Sequence, residues 1–311
     1  MGDDQYDIVV VGGGIAGLTA GLTAARAGRK TCVLTGPALG GQLLSIERIE
    51  GYPGFPDGVA GYDLCPMIQE QAVAAGAEFS AVQASRLERE ETGWHITAGA
   101  DRLRAGAVLI ATGTTLKTLG VAGETQLYGK GVSHCASCDA PLLRGRTVGV
   151  VGGGDSALQE ALTLAQHAAR VIIFHRGTGF SAQAAYRESV QKQSKIEARF
   201  GTIVDEIVGE GAVTGVRTRS ADGGSQLVDV AALFVYVGLA PATAWLEGTV
   251  GRDPSGRIPV DDTMRTNVPG LLAAGTVRSG SAGRAAAAAG DGAAAAVAAD
   301  RYLRDGTWLN G

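Results

Sequence analysis

Residues 7–17 read DIVVVGGGIAG, an apolar run that leads directly into a G-x-G-x-x-G pattern of glycines. An Ala- and Leu-rich stretch follows as far as Ala27, and residues 31–34 (TCVL) form the next apolar run. Strand, glycine-rich turn, helix and strand is the setting in which this pattern holds a dinucleotide pyrophosphate, because glycine lets the backbone approach the phosphates at a helix N-terminus. The beginning of the chain therefore predicts a dinucleotide-binding βαβ unit.

The same unit occurs a second time. Residues 147–157 read TVGVVGGGDSA, where Ala157 replaces the third glycine, as the motif allows. A helix is expected to about Ala168, and a strand over residues 170–175. The chain has 311 residues, roughly twice the ~150 typical of one domain, so two nucleotide-binding domains are expected.

Two shorter apolar runs end in glycine, VLIATG at 108–113 and LLAAG at 271–275. Each could bring a strand end to a cofactor, and each could equally be a plain strand end. The Ala-rich segment 285–299 predicts a helix, because alanine has the highest helix propensity, and its small side chains would permit close packing.

The composition excludes several classes of protein. Lys and Arg number 27 against 31 Asp and Glu, a net charge of −4 without any basic run, which argues against a nucleic-acid partner. Hydrophobic residues make up 45%, too many for a disordered chain. No apolar run reaches the ~18 residues of a membrane span, and the N-terminal MGDDQYD lacks secretory-signal features. We therefore expect a cytoplasmic protein with no membrane partner.

Two of the four cysteines, Cys135 and Cys138, have C-x-x-C spacing, which in an α/β chain favours redox chemistry. A zinc site would need a second ligand pair, and Cys32 and Cys65 stand singly and far apart, so no metal is expected. These two cysteines are interpreted as core residues.

Together these residues resemble the low-molecular-weight bacterial thioredoxin reductases, which are FAD-dependent pyridine nucleotide-disulfide oxidoreductases. The matching blocks keep the family's order and spacing along essentially the whole chain, and they are 12–17, 40–43 (GGQL), 52–56 (YPGFP), 111–113, 135–139 (CASCD), 152–157, 175–176 (HR) and 271–275.

The resemblance implies an α/β fold of two Rossmann-like, three-layer ββα domains, the second inserted in the first. The FAD-binding domain would comprise 1–117 and 246–311, and the pyridine-nucleotide-binding-like domain with the C-x-x-C would comprise 118–245. A homodimer is also implied, as is a large domain rotation that serves the nucleotide and the protein substrate in turn.

FAD is the cofactor implied for the first unit. Its expected contacts are Gly12, Gly14, Ile15, Ala16, Gly17, Thr35, Gly36, Gly41, Gln42, Leu43, Ala111, Thr112, Gly113, Gly275, Thr276, Arg284 and Ala285. Thr276 stands where the family usually has an Asp for the ribityl chain. We predict that Arg284 lies near the flavin pyrimidine ring and stabilises the anionic reduced flavin; the alternative is a surface arginine.

By the same resemblance, three residues carry the catalysis. Cys138 would face the flavin, Cys135 would attack the substrate disulfide, and Asp139 would protonate the leaving thiolate. C-x-x-C spacing at a helix start favours the reactive thiolate.

The expected NAD(P)H contacts are Gly152, Gly154, Asp155, Ser156, Ala157, His175 and Arg176. Relatives that prefer NADPH carry H-R-R-x-x-x-R here, and this chain reads HRGTGFS over 175–181, so two arginines are absent. Each lost charge-assisted contact to the 2′-phosphate is worth about 1.5–3 kcal/mol. NADPH, NADH or a donor such as ferredoxin all stay open.

The predicted function is an FAD-dependent disulfide reductase of the thioredoxin-reductase type, which passes electrons from NAD(P)H to a thioredoxin-like protein or a small disulfide. One alternative keeps the reductase and replaces the donor. Another is a dithiol oxidase that uses oxygen, although such oxidases often lack the acid that is present here as Asp139. A non-catalytic flavin-binding protein would leave the C-x-x-C-D motif without a purpose.

Overall fold

The computed structural model describes residues 4–246 and 248–308. They form two compact units: the first unit lies within 1–115 and 240–311, and the second unit comprises 116–239. The division falls a few residues before the expected boundaries at 117/118 and 245/246. The second boundary differs because residues before 246 already pack with the first unit: Trp245 contacts a core of that unit, and the Thr243 hydroxyl donates to the Gly256 carbonyl at 2.8 Å.

The strands, numbered along the described chain, are β1 (Asp4–Val11), β2 (Thr31–Leu34), β3 (Glu78–Ser80), β4 (Ala84–Glu90), β5 (Gly93–Ala98), β6 (Asp101–Ile110), β7 (Thr114–Leu116), β8 (Val132–Ser133), β9 (Thr147–Val151), β10 (Arg170–Phe174), β11 (Ile196–Arg199), β12 (Thr202–Val208), β13 (Gly215–Ser220), β14 (Ser225–Asp229), β15 (Leu233–Val235), β16 (Leu239–Pro241) and β17 (Leu271–Ala273). The helices are α1 (Ile15–Arg26), α2 (Gly61–Ala74), α3 (Ala136–Asp139), α4 (Asp155–His167), α5 (Ala184–Lys192) and α6 (Ala285–Asp305). Shorter 3₁₀ turns cover Gly41–Ser45, Ala140–Leu143, Ala244–Leu246 and Gly275–Val277.

The sheet of the first unit places the predicted cofactor turns at one edge. Its parallel strands run in the order β3-β2-β1-β6, and β17 pairs in parallel with the second half of β6. Val11 is in register with Leu34 on one side and with Ile110 on the other. Because the carboxyl ends of parallel strands share an edge, the turns that follow β1, β2, β6 and β17 meet there.

Alternate side chains of β1 belong to two cores on opposite faces of this sheet. Ile8 and Val10 pack with α1, α2 and α6, whereas Val9 and Val11 pack with the antiparallel strands β4 and β5. The three layers are therefore helices, parallel sheet and antiparallel strands, which is the predicted ββα arrangement.

The second unit repeats this layering. Its parallel sheet has the order β11-β10-β9-β15-β8, and a separate antiparallel sheet has the order β12-β13-β14. Val150 packs on the side of α4, and its neighbour Val151 packs against β12 and β13. The segments that connect the units, β7 and β16, pair with each other. Within the described residues, no helix combines the length and apolar character needed to cross a bilayer.

The Ala-rich segment forms the predicted helix α6, which packs against α1 through small residues. A Cβ placed on Gly292 would lie 2.1 Å from the carbonyl oxygen of Ala16, so the two backbones are close. At Gly290, in the same helix, a Cβ would meet no described atom outside the helix backbone within 4 Å. The glycine at 292 is therefore required by packing, and the glycine at 290 is not.

We expect Gly292→Ala to lower the free energy of unfolding by about 1–3 kcal/mol, because overpacking forces α1 and α6 apart. Gly290→Ala is the matched control and should raise it by up to about 1 kcal/mol, because alanine is the better helix former. Denaturant unfolding followed by circular dichroism, at one fixed FAD concentration, measures both. Equal effects of the two variants would contradict the close packing at Gly292.

Candidate active site

The turn after β1 is shaped by two close backbone approaches. Gly12 has a φ of +120°, and a Cβ there would lie 2.2 Å from the carbonyl oxygen of Ala111. A Cβ on Gly17 would lie 1.9 Å from the carbonyl oxygen of Gly12. Glycine at both positions lets the first turn of α1 pack against the ends of β1 and β6.

The N-terminus of α1 is open and uncapped. Gly14 has no side chain to cap the helix, and the first turn, which includes Ile15 and Ala16, contains no acidic residue. No described atom lies within 4 Å of a Cβ placed on Gly14. Backbone N–H groups at such a helix end favour an anion, so this cradle fits the pyrophosphate of FAD.

Two further predicted segments close on this turn. The N–H of Gly40 donates to the carbonyl of Gly13 at 2.7 Å, and this bond brings the 3₁₀ turn that contains Gly41, Gln42 and Leu43 to the cradle. Thr35, at the end of β2, lies against Gly13, where a Cβ would approach the Thr35 Cβ to 2.7 Å. Gly36 follows Thr35 with a φ of +67°.

A polar cluster joins three strand ends near this cradle. The Gln42 side-chain amide donates to the backbone carbonyl of Thr114 and to its hydroxyl, the latter at 3.2 Å. The Thr114 and Thr276 hydroxyl oxygens are 3.3 Å apart, and a Cβ on Gly113 would be 3.5 Å from the latter oxygen. The structure therefore brings Gln42 and Thr276 together, and Thr114 is the linking residue that sequence reasoning missed. Thr112, between Ala111 and Gly113, donates its hydroxyl to the carbonyl of Ala242 at 2.9 Å.

Asp291 supports the predicted contact Gly275 from within α6. Its buried carboxylate accepts the N–H of Gly275 at 3.1 Å and pairs with the Arg278 guanidinium through bonds of 2.7 and 2.8 Å. An acid in an otherwise Ala-rich helix was the available sequence signal. Arg284 is exposed, just before α6 begins at Ala285, and donates to the Gly283 carbonyl at 3.4 Å. The role of Arg284 toward the flavin stays a prediction.

We expect Gly14→Asp to weaken FAD binding by about tenfold or more, because a carboxylate at the helix N-terminus repels the pyrophosphate. The stability of the FAD-free protein should stay the same or rise by a few tenths of a kcal/mol, since Asp is a good N-cap. Gly14→Asn is the uncharged control of nearly equal size. Fluorescence titration with FAD measures the affinity, and equal losses in both variants would indicate steric exclusion instead.

The redox pair lies in the second unit, at the start of the short helix α3. Cys135 and Cys138 form a disulfide with a Cα–Cα distance of 5.4 Å. Cys135 is half-buried and is the N-cap of α3, whereas Cys138 is exposed. The Cys135 Sγ accepts the Cys138 N–H at 3.3 Å and lies 3.5 Å from the Ser137 hydroxyl. Donors directed at a sulfur favour a thiolate at that sulfur after reduction.

The residues beside the pair are fixed by backbone contacts. The Asp139 N–H donates to the Cys135 carbonyl at 3.3 Å, which keeps this half-buried acid on the same turn as both sulfurs. The His134 Nδ1 bonds to the Val235 carbonyl at 2.8 Å, so the ring is anchored to the end of β15.

Cys32 and Cys65 are buried and unpaired, which confirms their interpretation as core residues. Burial raises the pKa of each thiol to about 11. Both therefore stay protonated near neutral pH and are poor nucleophiles.

The second glycine-rich turn differs chemically from the first. Gly152 again has a positive φ, +146°, and a Cβ there would lie 2.4 Å from the Tyr236 carbonyl oxygen. Helix α4 begins with Asp155, followed by Ser156 and Ala157, and the Asp155 carboxylate accepts the Gln183 N–H at 2.7 Å and its side-chain amide at 3.0 Å. The nearest described atom to a Cβ on Gly154 would be the Ser181 hydroxyl oxygen, at 3.9 Å.

An aromatic cluster follows β10 where a nucleotide ribose is expected. The His175 ring packs against Gly153 and contacts the rings of Phe180 and Phe200 at centroid distances of 5.9 and 6.2 Å. Arg176 is exposed, and it is the one Lys or Arg residue within 175–181. Arg176 is thus the one cationic Lys or Arg side chain beside this aromatic cluster within residues 175–181.

Comparisons with known proteins agree with this geometry. A family model described as pyridine nucleotide-disulphide oxidoreductase matches residues 6–292. The chain belongs to this family. The thioredoxin reductase of Treponema pallidum is 36% identical over 97% of this chain and 98% of its own, and that of Listeria monocytogenes is 38% identical over 96% and 94%. The crystal structure of Lactococcus lactis thioredoxin reductase matches with a TM-score of 0.93 at 33% identity, covering 96% of this chain and 99% of its own.

Membership confirms three of the predictions. The fold class is that of the thioredoxin reductases, the chain is an oxidoreductase, and its activity is that of an FAD-dependent disulfide reductase of the thioredoxin-reductase type. The individual site residues stay predictions, and the donor and partner are addressed next.

Proposed function

We propose that the enzyme reduces the disulfide of a thioredoxin-like protein with electrons from a nicotinamide nucleotide, using Cys135, Cys138 and Asp139 as catalytic residues. The observation that carries this proposal is the disulfide at the start of α3, with Asp139 on the same turn. FAD, bound at the N-terminus of α1, would supply the electron transfer between the nucleotide and the cysteine pair.

Cys135 is proposed as the attacking residue because its sulfur accepts the Cys138 N–H. Its thiolate attacks one sulfur of the substrate disulfide, forms a mixed disulfide and releases a substrate thiolate, which Asp139 protonates. The Cys138 thiolate then attacks the Cys135 Sγ, closes the Cys135–Cys138 disulfide and releases the second substrate thiolate. Two electrons have passed to the substrate.

For the donor we propose NADH or NADPH without a strong preference for NADPH. A 2′-phosphate needs guanidinium partners, and residues 175–181 offer only that of Arg176. The same segment contains no acid to bind a ribose 2′-hydroxyl, the usual device for NADH. The absence of this acid from residues 175–181 favours a ferredoxin-like protein as the alternative donor.

Anaerobic titration of the FAD-loaded enzyme tests this proposal. We expect stoichiometric bleaching of the flavin absorbance by NADH and by NADPH, and loss of thioredoxin reduction in Cys138→Ser. Bleaching by dithionite but by neither nucleotide would overturn the nucleotide donor and favour the ferredoxin-like one.

Ser181→Arg should lower the Kd for NADPH by about tenfold, as expected for one bidentate phosphate contact, and leave the Kd for NADH unchanged. Ser189→Arg, at an exposed position on α5, is the matched control.

A thioredoxin-like partner is supported by apolar side chains that flank the redox pair. Leu142, on the 3₁₀ turn after Asp139, is 82% exposed, and Tyr128 is 61% exposed with its ring 5.8 Å from that of His134. Exposed apolar groups beside a reactive disulfide are suited to contact a protein substrate. We propose this surface, Leu142 and Tyr128, as the docking contact.

We expect Leu142→Asp to raise the KM for a thioredoxin-like protein by about tenfold, because a charge replaces an apolar contact. Reduction of a small aromatic disulfide should be unchanged, since it needs no docking surface. Leu227→Asp is the matched control, because Leu227 is 50% exposed on β14 of the same unit. Steady-state kinetics with the protein substrate and with the small disulfide test this prediction. Equal losses of activity with both substrates would contradict a docking role.

We also propose a cytoplasmic homodimer. Exposed apolar side chains on α2, namely Tyr62, Met67 and Val73, support an interface on the first unit. Light scattering of the purified enzyme gives the oligomeric state, and a monomer would contradict this part of the proposal.

A further inference from the structure

A buried carboxylate lies beneath residues 135–139, the turn that contains the redox pair and is called the redox turn below. Glu160, in the middle of α4, is only 8% exposed, and its Oε2 accepts the N–H of Ala136 at 3.2 Å. Ala136 is the fully buried first residue of α3, and its nitrogen is bonded to the carbonyl carbon of Cys135. The Glu160 carboxylate therefore lies one peptide group from the redox pair.

Tyr236 faces the same point from the end of β15. Its hydroxyl is buried and makes no hydrogen bond of ordinary geometry within the described residues. Burial raises the pKa of Tyr236 most strongly, and the negative charge of Glu160 raises it further; the Ala136 N–H opposes this, and Asp139 contributes a small increase. Tyr236 packs in the same buried core as Ala136 and the apolar side chains of α4.

The Cys138 N–H and the Glu160 carboxylate have opposite effects on the stability of the Cys135 thiolate. The Cys138 N–H, donated to the Cys135 Sγ, stabilises a thiolate and hence the reduced pair. A disulfide whose reduced form is stabilised is a stronger oxidant. A buried negative charge one peptide group away disfavours the thiolate, because repulsion is strong where water is excluded.

We propose that Glu160 is a positioning residue for the redox turn: its buried carboxylate holds the Ala136 N–H and disfavours the Cys135 thiolate, which makes the pair a stronger reductant, and the dipole of the Tyr236 hydroxyl favours the charged form of that carboxylate. The inference rests on the proposed catalytic role of Cys135 and Cys138. It assigns to two residues outside the C-x-x-C motif the tuning of its reducing power.

The test compares Glu160→Gln with the wild-type FAD-loaded enzyme, since glutamine keeps the size and the acceptor oxygen but not the charge. The enzyme is equilibrated anaerobically with ratios of dithiothreitol to its cyclic disulfide; each dithiothreitol passes two electrons and two protons to the pair. Alkylation and mass spectrometry count the thiols formed at Cys135 and Cys138. The equilibrium constant for reduction should rise about tenfold, equivalent to about 30 mV for a two-electron couple. Alkylation of Cys135 should become half-maximal at lower pH.

Tyr236→Phe removes only the hydroxyl and should give a smaller shift in the same direction, because the carboxylate loses a neighbouring dipole that favours its negative charge. Combined with Glu160→Gln, it should add nothing, since both changes act through one charge. Glu188→Gln removes an exposed carboxylate from α5 and is the matched control. Equal midpoints in Glu160→Gln, Glu188→Gln and wild type would overturn the inference.

The proposed function fails by a different result. If Cys138→Ser still reduced a thioredoxin-like protein at the wild-type rate, the catalytic role of the pair would be wrong, whatever the midpoint in Glu160→Gln. If Glu160→Gln lost its cooperative unfolding transition, Tyr236→Phe would be the test variant instead. An unchanged redox midpoint in Tyr236→Phe would then overturn the inference.

Discussion

The first unit depends on backbones that approach each other more closely than any Cβ would allow. Gly12 lies against the Ala111 carbonyl, Gly17 against that of Gly12, and Gly292 against that of Ala16. These contacts fix the start of α1 against the sheet on one side and against α6 on the other. The N-terminus of that helix is thereby held, uncapped, at the edge where the strand ends meet, and this is the position that an anion requires. Glycine makes up 48 of the 311 residues, about twice the usual ~7%, and these three are among those that a close backbone approach requires.

The two glycine-rich turns show how one backbone motif acquires different chemistry from its surroundings. At equivalent positions, Gly13 lies against the Thr35 side chain and Gly153 against the His175 ring. Helix α4 begins with an acid, Asp155, that accepts the Gln183 N–H, whereas the first turn of α1 has no acid. Both turns keep a positive φ at their first glycine, because the backbone geometry of the crossover demands it. The two turns therefore differ in the side chains that follow the second strand of each unit, Thr35 in the first and His175 in the second.

The redox turn combines local and long-range control. Its own backbone directs an N–H at the Cys135 sulfur, and this follows from four residues of sequence. The carboxylate beneath it comes from α4 and the hydroxyl from the end of β15, which are distant in the chain. A buried polar group costs free energy unless its neighbours stabilise it. The position of this carboxylate beneath the disulfide is therefore informative about function.

The sequence by itself determined the layout of the molecule. Both βαβ units, the strand ends at 108–113 and 271–275, the Ala-rich helix and the C-x-x-C were readable, because glycine turns, hydrophobic periodicity and cysteine spacing are local properties. Only the tertiary structure decided what supports them: Thr114 between Gln42 and Thr276, Asp291 beneath Gly275, and Glu160 beneath Ala136. It also placed the unit boundary at 239/240 rather than at 245/246. These features join residues far apart in the chain, and a side chain's partner across such a separation is set by how helices and sheets pack, which no local pattern encodes.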